Sequence, residues 1–287
     1  MNSGFPLFSI LMGNYNNGCY LLDAVNSVRE QSYGHWEIII VDDGSTDNSE
    51  EVFAQLSDDP RIRIFHNDRN HGTGYTRRRC AELAQGEICG IVDPDDMLAD
   101  KDALAIMVQA HRDHPDASMI YSGLYCTDEN LVVIKESRGI PLHGVSILES
   151  CSWPIKHFVS FKKEKYDLTV GFDPLIKRST DFDLYYKLEE VGDVVHIDRL
   201  LYYYRQNPHS ISLNGNEYKA WAWHTYNCVE AMKRRGLTDE KLMLFPIEVA
   251  LKREYKKGLD HMKGTKTYKV GEAVLRPIEW ILRLFGK

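Results

Sequence analysis

Three carboxylates sit almost side by side in Asp93-Pro94-Asp95-Asp96. Two carboxylates at i and i+2 can bring oxygens to one hard divalent cation, which also favours the oxygens of a diphosphate. A cation held there neutralises charge on a departing phosphate. An acidic turn capping the next helix is the other reading of the same residues. A second acidic pair opens Asp42-Asp43-Gly44-Ser45. On its own it reads as an Asp-Gly turn, with Asp47 as a helix N-cap. Tyr15, on a neighbouring loop, changes the balance. An aromatic ring that stacks on a base, with a carboxylate that accepts its N–H, is how a pocket selects a nucleobase. An Asp acceptor facing an imide N–H suits uracil or thymine.

The elements that must position these residues alternate over the first hundred positions. Phe8–Met12 reads as a strand, and Tyr20 to Gln31 as a helix with Leu21, Leu22, Val25 and Val28 on one face. Trp36–Val41 is a run rich in β-branched residues, the mark of a strand buried on both faces. Asp47–Leu56 reads as a helix, Arg61–Phe65 as a strand, Thr76–Gln85 as a helix and Glu87–Val92 as a fourth strand. This alternation predicts an α/β fold with a mostly parallel sheet. Right-handed crossovers then gather the post-strand loops along one sheet edge, where ligands bind in such folds. Tyr15, Asp42-Asp43 and Asp93-Asp95 all belong to those loops. Beyond residue 115, Ala117–Cys126, Leu131–Lys135, Phe158–Phe161 and Val194–Arg205 read as extended and Ser179–Glu190 as a helix. Everything from Asn216 onward reads as helices.

Phe8 to Asn16, Ser27-Val28 with Gln31-Ser32-Tyr33, and Trp36 to Asp47 together resemble the inverting family-2 glycosyltransferases of GT-A fold. The resemblance continues through Gly72, Arg77, Gly86-Glu87 and Asp93 to Asp96. It resumes at Gly171-Phe172-Asp173, Asp181 to Leu184, Tyr203-Tyr204-Arg205 and Ser210-Ile211-Ser212. It implies a nucleotide-diphosphate-sugar donor and a divalent cation, Mn²⁺ or Mg²⁺. By position, Tyr15 and Asp43 hold the base, with Asn16 and Asp42 beside them, and Arg77 faces the donor phosphates. Asp93 contacts the ribose or sugar, Asp95 ligates the metal, and Arg205 reaches the diphosphate when its segment closes. Asp181 falls where the family places its catalytic base, which takes the acceptor proton as oxygen attacks C1 and inverts it. Three positions depart from the pattern: Gly13-Asn14 replaces Pro-Thr, Thr180 replaces the glutamate before Asp181, and His209 stands several residues after Arg205.

The 287 residues, 43% hydrophobic and 27% charged, exclude a disordered or low-complexity chain. A net charge of −7 gives no reason to expect nucleic-acid binding. The charge is uneven, because residues 251–287 carry ten Lys/Arg against four Asp/Glu. The six scattered cysteines read as free thiols of a reducing compartment. With no signal or membrane-spanning segment visible, a cytoplasmic location is expected. Residues 1–215 are expected to form the catalytic domain, with a nucleotide half at 1–115 and an acceptor half at 116–215. Residues 216–287 would be a helical extension. Within it, 268–286 is amphipathic and basic, suited to peripheral membrane contact, packing on the domain, or a homodimer. Trp221, Trp223 and Tyr226 read as packing residues rather than an acceptor platform, and His66, His71, His111 and His114 as surface or loop residues. The expected activity is transfer of a sugar from a UDP- or dTDP-type donor to a hydroxyl of a glycan or lipid-linked acceptor, in cell-surface polysaccharide synthesis. The alternatives are a catalytically silent binding module and a sugar-1-phosphate nucleotidyltransferase. The latter needs a basic loop after the first strand, and residues 13–18 hold no Lys or Arg.

Overall fold

The computed structural model describes residues 4–150, 154–207 and 217–237. The chain divides into two compact units, Met1–Ala231 and Met232–Lys287, and the site lies within the first. Ser210-Ile211-Ser212, His209, and the amphipathic segment 268–286 lie outside the described residues. Among the described residues, no helix is long and apolar enough to cross a membrane.

The first half follows the alternation of the sequence. Strands β1 (Phe8–Asn14), β2 (Trp36–Asp42), β3 (Ile62–His66) and β4 (Ile88–Ile91) are parallel, in the order β3-β2-β1-β4. Helices α1 (Gly18–Arg29), α2 (Ser49–Leu56) and α3 (Thr73–Leu83) connect them. Ile38, Ile39, Ile40 and Val41 of β2 are fully buried, as a strand covered on both faces requires. The strand order reverses direction at β1, which puts the crevice of an open α/β sheet beyond the carboxyl ends of β1 and β4.

The second half extends the same sheet. After the two-residue β5 (Met97–Leu98) and helix α4 (Ala103–Asp113) come β6 (Ala117–Thr127), β7 (Val133–Ser137) and β8 (Val159–Lys162). Then follow α5 (Lys163–Asp167), α6 (Thr180–Glu189), β9 (Asp193–Arg205) and α7 (Glu217–Arg234). The sheet runs β3-β2-β1-β4-β8-β6-β9-β5, with β7 paired to β6. Strand β8 lies antiparallel between β4 and β6. Its register, Ile91 opposite Val159, sets the start of β8 beside the end of β4. Two residues beyond that pair in each direction stand Asp93 and His157.

His111 departs from its surface reading. It is buried in α4, its Nε2 lies 2.9 Å from the Ser160 hydroxyl, and burial pushes its imidazole down to about 3.

Candidate functional site

Helix α3 begins three residues earlier than its apolar pattern suggests, and two glycines explain why. Gly72 adopts φ 97°, which an L side chain resists, and its N–H donates to Asp43 Oδ2 at 2.8 Å. Gly74 donates its N–H to the Ile176 carbonyl at 3.0 Å, and a Cβ there would collide with the carbonyl oxygens of Asp173 and Ile176. Gly74→Ala is therefore expected to push this loop off α3 and lower stability by about 1–3 kcal/mol. Thermal denaturation checks this, and an unchanged Tm would show that the loop moves freely.

At the carboxyl ends of the parallel strands opens a cleft of about 1720 Å³. Tyr15, Asn16, Asp43 and Arg77 line it, and so do Asp93, Asp95 and Asp181. Tyr15 is 45% exposed, so its ring face is available. Asp43 is buried and accepts from Asn67 Nδ2 at 2.7 Å, the His71 N–H at 2.9 Å and the Gly72 N–H at 2.8 Å. A carboxylate offers about four acceptor positions, so capacity for one more donor remains. Asn16 binds loop to loop: its N–H donates to Ser45 Oγ at 2.9 Å and its Oδ1 accepts from the Thr46 N–H at 2.8 Å.

Asp42 does not line the cleft. Its carboxylate accepts from Asn14 Nδ2 at 2.9 Å and from the Ser45 N–H and Oγ at 3.0 and 2.5 Å, so it shapes the turn that presents Asp43. Asn14, which departs from the family pattern, is thus the residue that ties β1 to this turn. Arg205 is not brought to the cleft either. Its guanidinium donates to Asp23 Oδ2 at 3.0 Å and the Glu129 carbonyl at 3.2 Å, and lies 4.6 Å from the Tyr20 ring. The parallel run of β9 beside β6 ends against α1, which spends this arginine on a structural strap.

The acidic cluster is graded by its partners. Burial pushes Asp93 upward, but Arg77 and His157 outweigh it and hold the carboxyl below its usual range. Arg77 donates to Asp93 Oδ1 at 2.6 Å and to Thr180 Oγ1 at 2.8 Å. Burial opposes its charge, while Asp93 and then Asp181 raise its pKa above the ordinary arginine value. This arginine therefore joins the end of β4 to the first turn of α6, and the hydroxyl of Thr180 receives it where the family pattern has a carboxylate. Asp96 is buried and accepts the Arg205 N–H at 2.8 Å; burial, then Asp95 and Asp93, push it well above the usual carboxylate range.

Asp95 is pushed to about 6 by burial and then by Asp93, and Asn207 Nδ2 donates to it at 3.2 Å. A half-buried carboxylate so placed gains from a neighbouring positive charge. Among the described residues, no three His, Cys, Asp or Glu side chains gather to hold a metal by themselves. The Asp95 carboxylate is an oxygen donor that would suit a hard divalent cation such as Mg²⁺ or Mn²⁺.

Asp181 stands in the first turn of α6, half-buried, on the cleft wall. Asp183, two residues on, turns inward. It pairs with Lys187 at 2.6 Å, and Lys187 also donates to the Gly171 carbonyl at 2.8 Å. The sequence reading did not single out His157, Lys156, Trp223 or Tyr226, all of which line the cleft, as site residues. His157 had a signal: antiparallel pairing of Phe158–Phe161 with the fourth strand would have placed it opposite Asp93.

Residues 9–174, more than half the chain, match the family model described as Glycosyl transferase family 2. A chondroitin synthase from Escherichia coli is 30% identical over 198 residues, covering 69% of this chain and 28% of that protein. The chain thus spans little more than a quarter of that relative's length. S. aureus TarS 1-349, solved in complex with UDP-GlcNAc, aligns with a TM-score of 0.63 at 19% identity, over 78% of this chain and 66% of that one. The mannosyltransferase PcManGT from Pyrobaculum calidifontis, solved with GDP-Man and Mn²⁺, aligns with a TM-score of 0.61 at 14% identity, over 93% and 83%. These likenesses show the fold, which is GT-A.

Proposed function

Because the chain belongs to glycosyl transferase family 2, we propose that it moves a sugar from a UDP- or dTDP-type donor to a hydroxyl of a glycan or lipid-linked acceptor, with inversion, in polysaccharide assembly. The observation that carries this reading is the meeting of Tyr15, Asp43, Arg77, Asp93, Asp95 and Asp181 in one cleft, from loops far apart in the chain.

Each residue has work that suits its surroundings. The Tyr15 ring stacks on the base, and Asp43, fixed by three donors, accepts the imide N–H. Arg77 holds Asp93 in place to accept from the ribose or sugar, and presents positive charge toward the diphosphate. Asp95 would hold the divalent cation, which when bound supplies neutralising charge for the departing diphosphate. Asp181, on the cleft wall, takes the proton of the acceptor hydroxyl as its oxygen attacks C1. The UDP-GlcNAc complex of TarS and the GDP-Man and Mn²⁺ complex of PcManGT support a nucleotide-sugar donor and a cation.

A thermal-shift panel of nucleotide sugars, with and without Mn²⁺, tests the donor side. At a hundredfold excess over Kd a uridine donor is expected to add about 2.7 kcal/mol, a Tm rise of about 5–10 °C. Chelation should remove most of that rise, and guanosine donors should give little. Equal shifts with both bases would overturn the base assignment, and a flat panel would overturn the donor site.

A further inference from the structure

Helix α7 brings one face to the cleft. Lys219, Ala222, Trp223 and Tyr226 line it, at the i, i+3, i+4 and i+7 spacing of a single helical stripe. The Trp223 and Tyr226 rings meet edge to face, 5.7 Å between centroids and 83° between planes. Tyr226 remains 46% exposed. The other side of the helix does the packing. Cys228 Sγ lies 3.2 Å from Tyr186 Oη, the His224 ring sits edge-on to Phe182 at 4.8 Å, and Asn227 Nδ2 donates to the Ser179 carbonyl at 2.7 Å. These contacts fasten α7 to the start of α6, the turn that carries Asp181. Packing therefore does not account for the Trp223–Tyr226 pair, which faces the cleft instead of the interior.

We propose that Trp223 and Tyr226 form an acceptor subsite for a pyranose ring of a glycan, placed so that the acceptor hydroxyl reaches Asp181. This rests on the glycosyltransferase reading above and names the acceptor chemistry. An aromatic face is negative at its centre, and the C–H face of a pyranose ring is the complementary surface. The cleft that the pair faces is lined by polar residues, among them Ser137, Lys156, Ser179 and Asn207, as well as by apolar ones such as Leu124 and Ile155. Such a mixed wall suits a hydroxyl-bearing ring, whereas a lipid chain calls for a continuous apolar groove.

The full-length chain and its Trp223→Ala, Trp223→Phe and Tyr226→Ala variants are compared with chitotetraose, cellotetraose and chondroitin tetrasaccharide, and with dodecanol as a lipid-like acceptor. Trp223→Ala is expected to raise the tetrasaccharide KM at least tenfold, far more than the donor KM, and Trp223→Phe to recover most of the loss. Tyr226→Ala should raise it several-fold. An unchanged acceptor KM, an equal change in donor KM, or preference for dodecanol would overturn the subsite. Binding of the same tetrasaccharides, followed by tryptophan fluorescence, separates this from the parent reading. A wild type that binds them but turns over no donor sinks the transferase while the subsite stands if Trp223→Ala abolishes binding. A wild type that binds none of them, or binding equal in both proteins, sinks the subsite. Should Trp223→Ala fail to fold by circular dichroism, Trp223→Phe and Tyr226→Ala carry the comparison.

Discussion

Asp181→Asn is expected to slow sugar transfer by about a thousandfold while leaving donor affinity and Tm close to wild type. The substitution keeps the shape of the side chain and removes its ability to take a proton. Asp181 sits half-buried in the first turn of α6 and lines the cleft, so an amide there can still be hydrated and meets no new steric demand. Arg77 keeps its contacts with Asp93 and Thr180 in the variant. Measuring kcat alongside donor binding by calorimetry separates the possibilities. Transfer within tenfold of wild type would mean that another group takes the proton. Donor binding in a wild type that transfers nothing would favour the silent binding module.

Asp183→Asn should do the opposite, costing about 3–5 kcal/mol of stability. Asp183 and Lys187 are only 5% and 4% exposed at their side chains, and they pair at 2.6 Å. Without the negative charge the ammonium is left in the interior with neutral acceptors, the Gly171 carbonyl and the new amide oxygen. A fall in Tm of about 10 °C follows for a chain of this size. Replacing both partners by apolar residues of similar volume should recover much of the loss, because no buried charge is then left alone. A fall below 2 °C in the single variant would show that water reaches the pair. Two aspartates one dipeptide apart thus report separately on chemistry and on folding.

Much of the nucleotide half was readable because each parallel strand is a short, mostly apolar run and each loop after it carries the polar residues. The match of Trp36–Val41 to β2, and of Asp42-Asp43 to the turn after it, shows this well. The later half was less readable because its strands are chosen by partners far away in the chain. Nothing local marks Met97–Leu98 as a strand; its pairing with Tyr202 and Tyr203 makes it one. The order β4-β8-β6 likewise depends on long-range antiparallel pairing. The present contacts of Arg205 were unreadable for a related reason. Its neighbours in sequence resemble a phosphate-binding segment, and its pairing with Asp23 follows from where β9 ends against α1. Trp223 and Tyr226 fit a packing pattern by spacing alone, and only the attachment of the opposite helix face to α6 shows which side is free. Gly72 and Gly74 carry no helical signal, yet the start of α3 needs both, Gly72 for its positive φ and Gly74 for the close approach of the Asp173 and Ile176 carbonyls.

The link from Arg77 to both Asp93 and Thr180 has a bearing on how such an enzyme can diversify. One side chain ties Asp93 to the turn that carries Asp181, whereas the aromatic stripe of α7 is fastened to that same turn through separate contacts. Under the proposed function, side chains on that stripe could be exchanged one at a time without touching the Arg77 link.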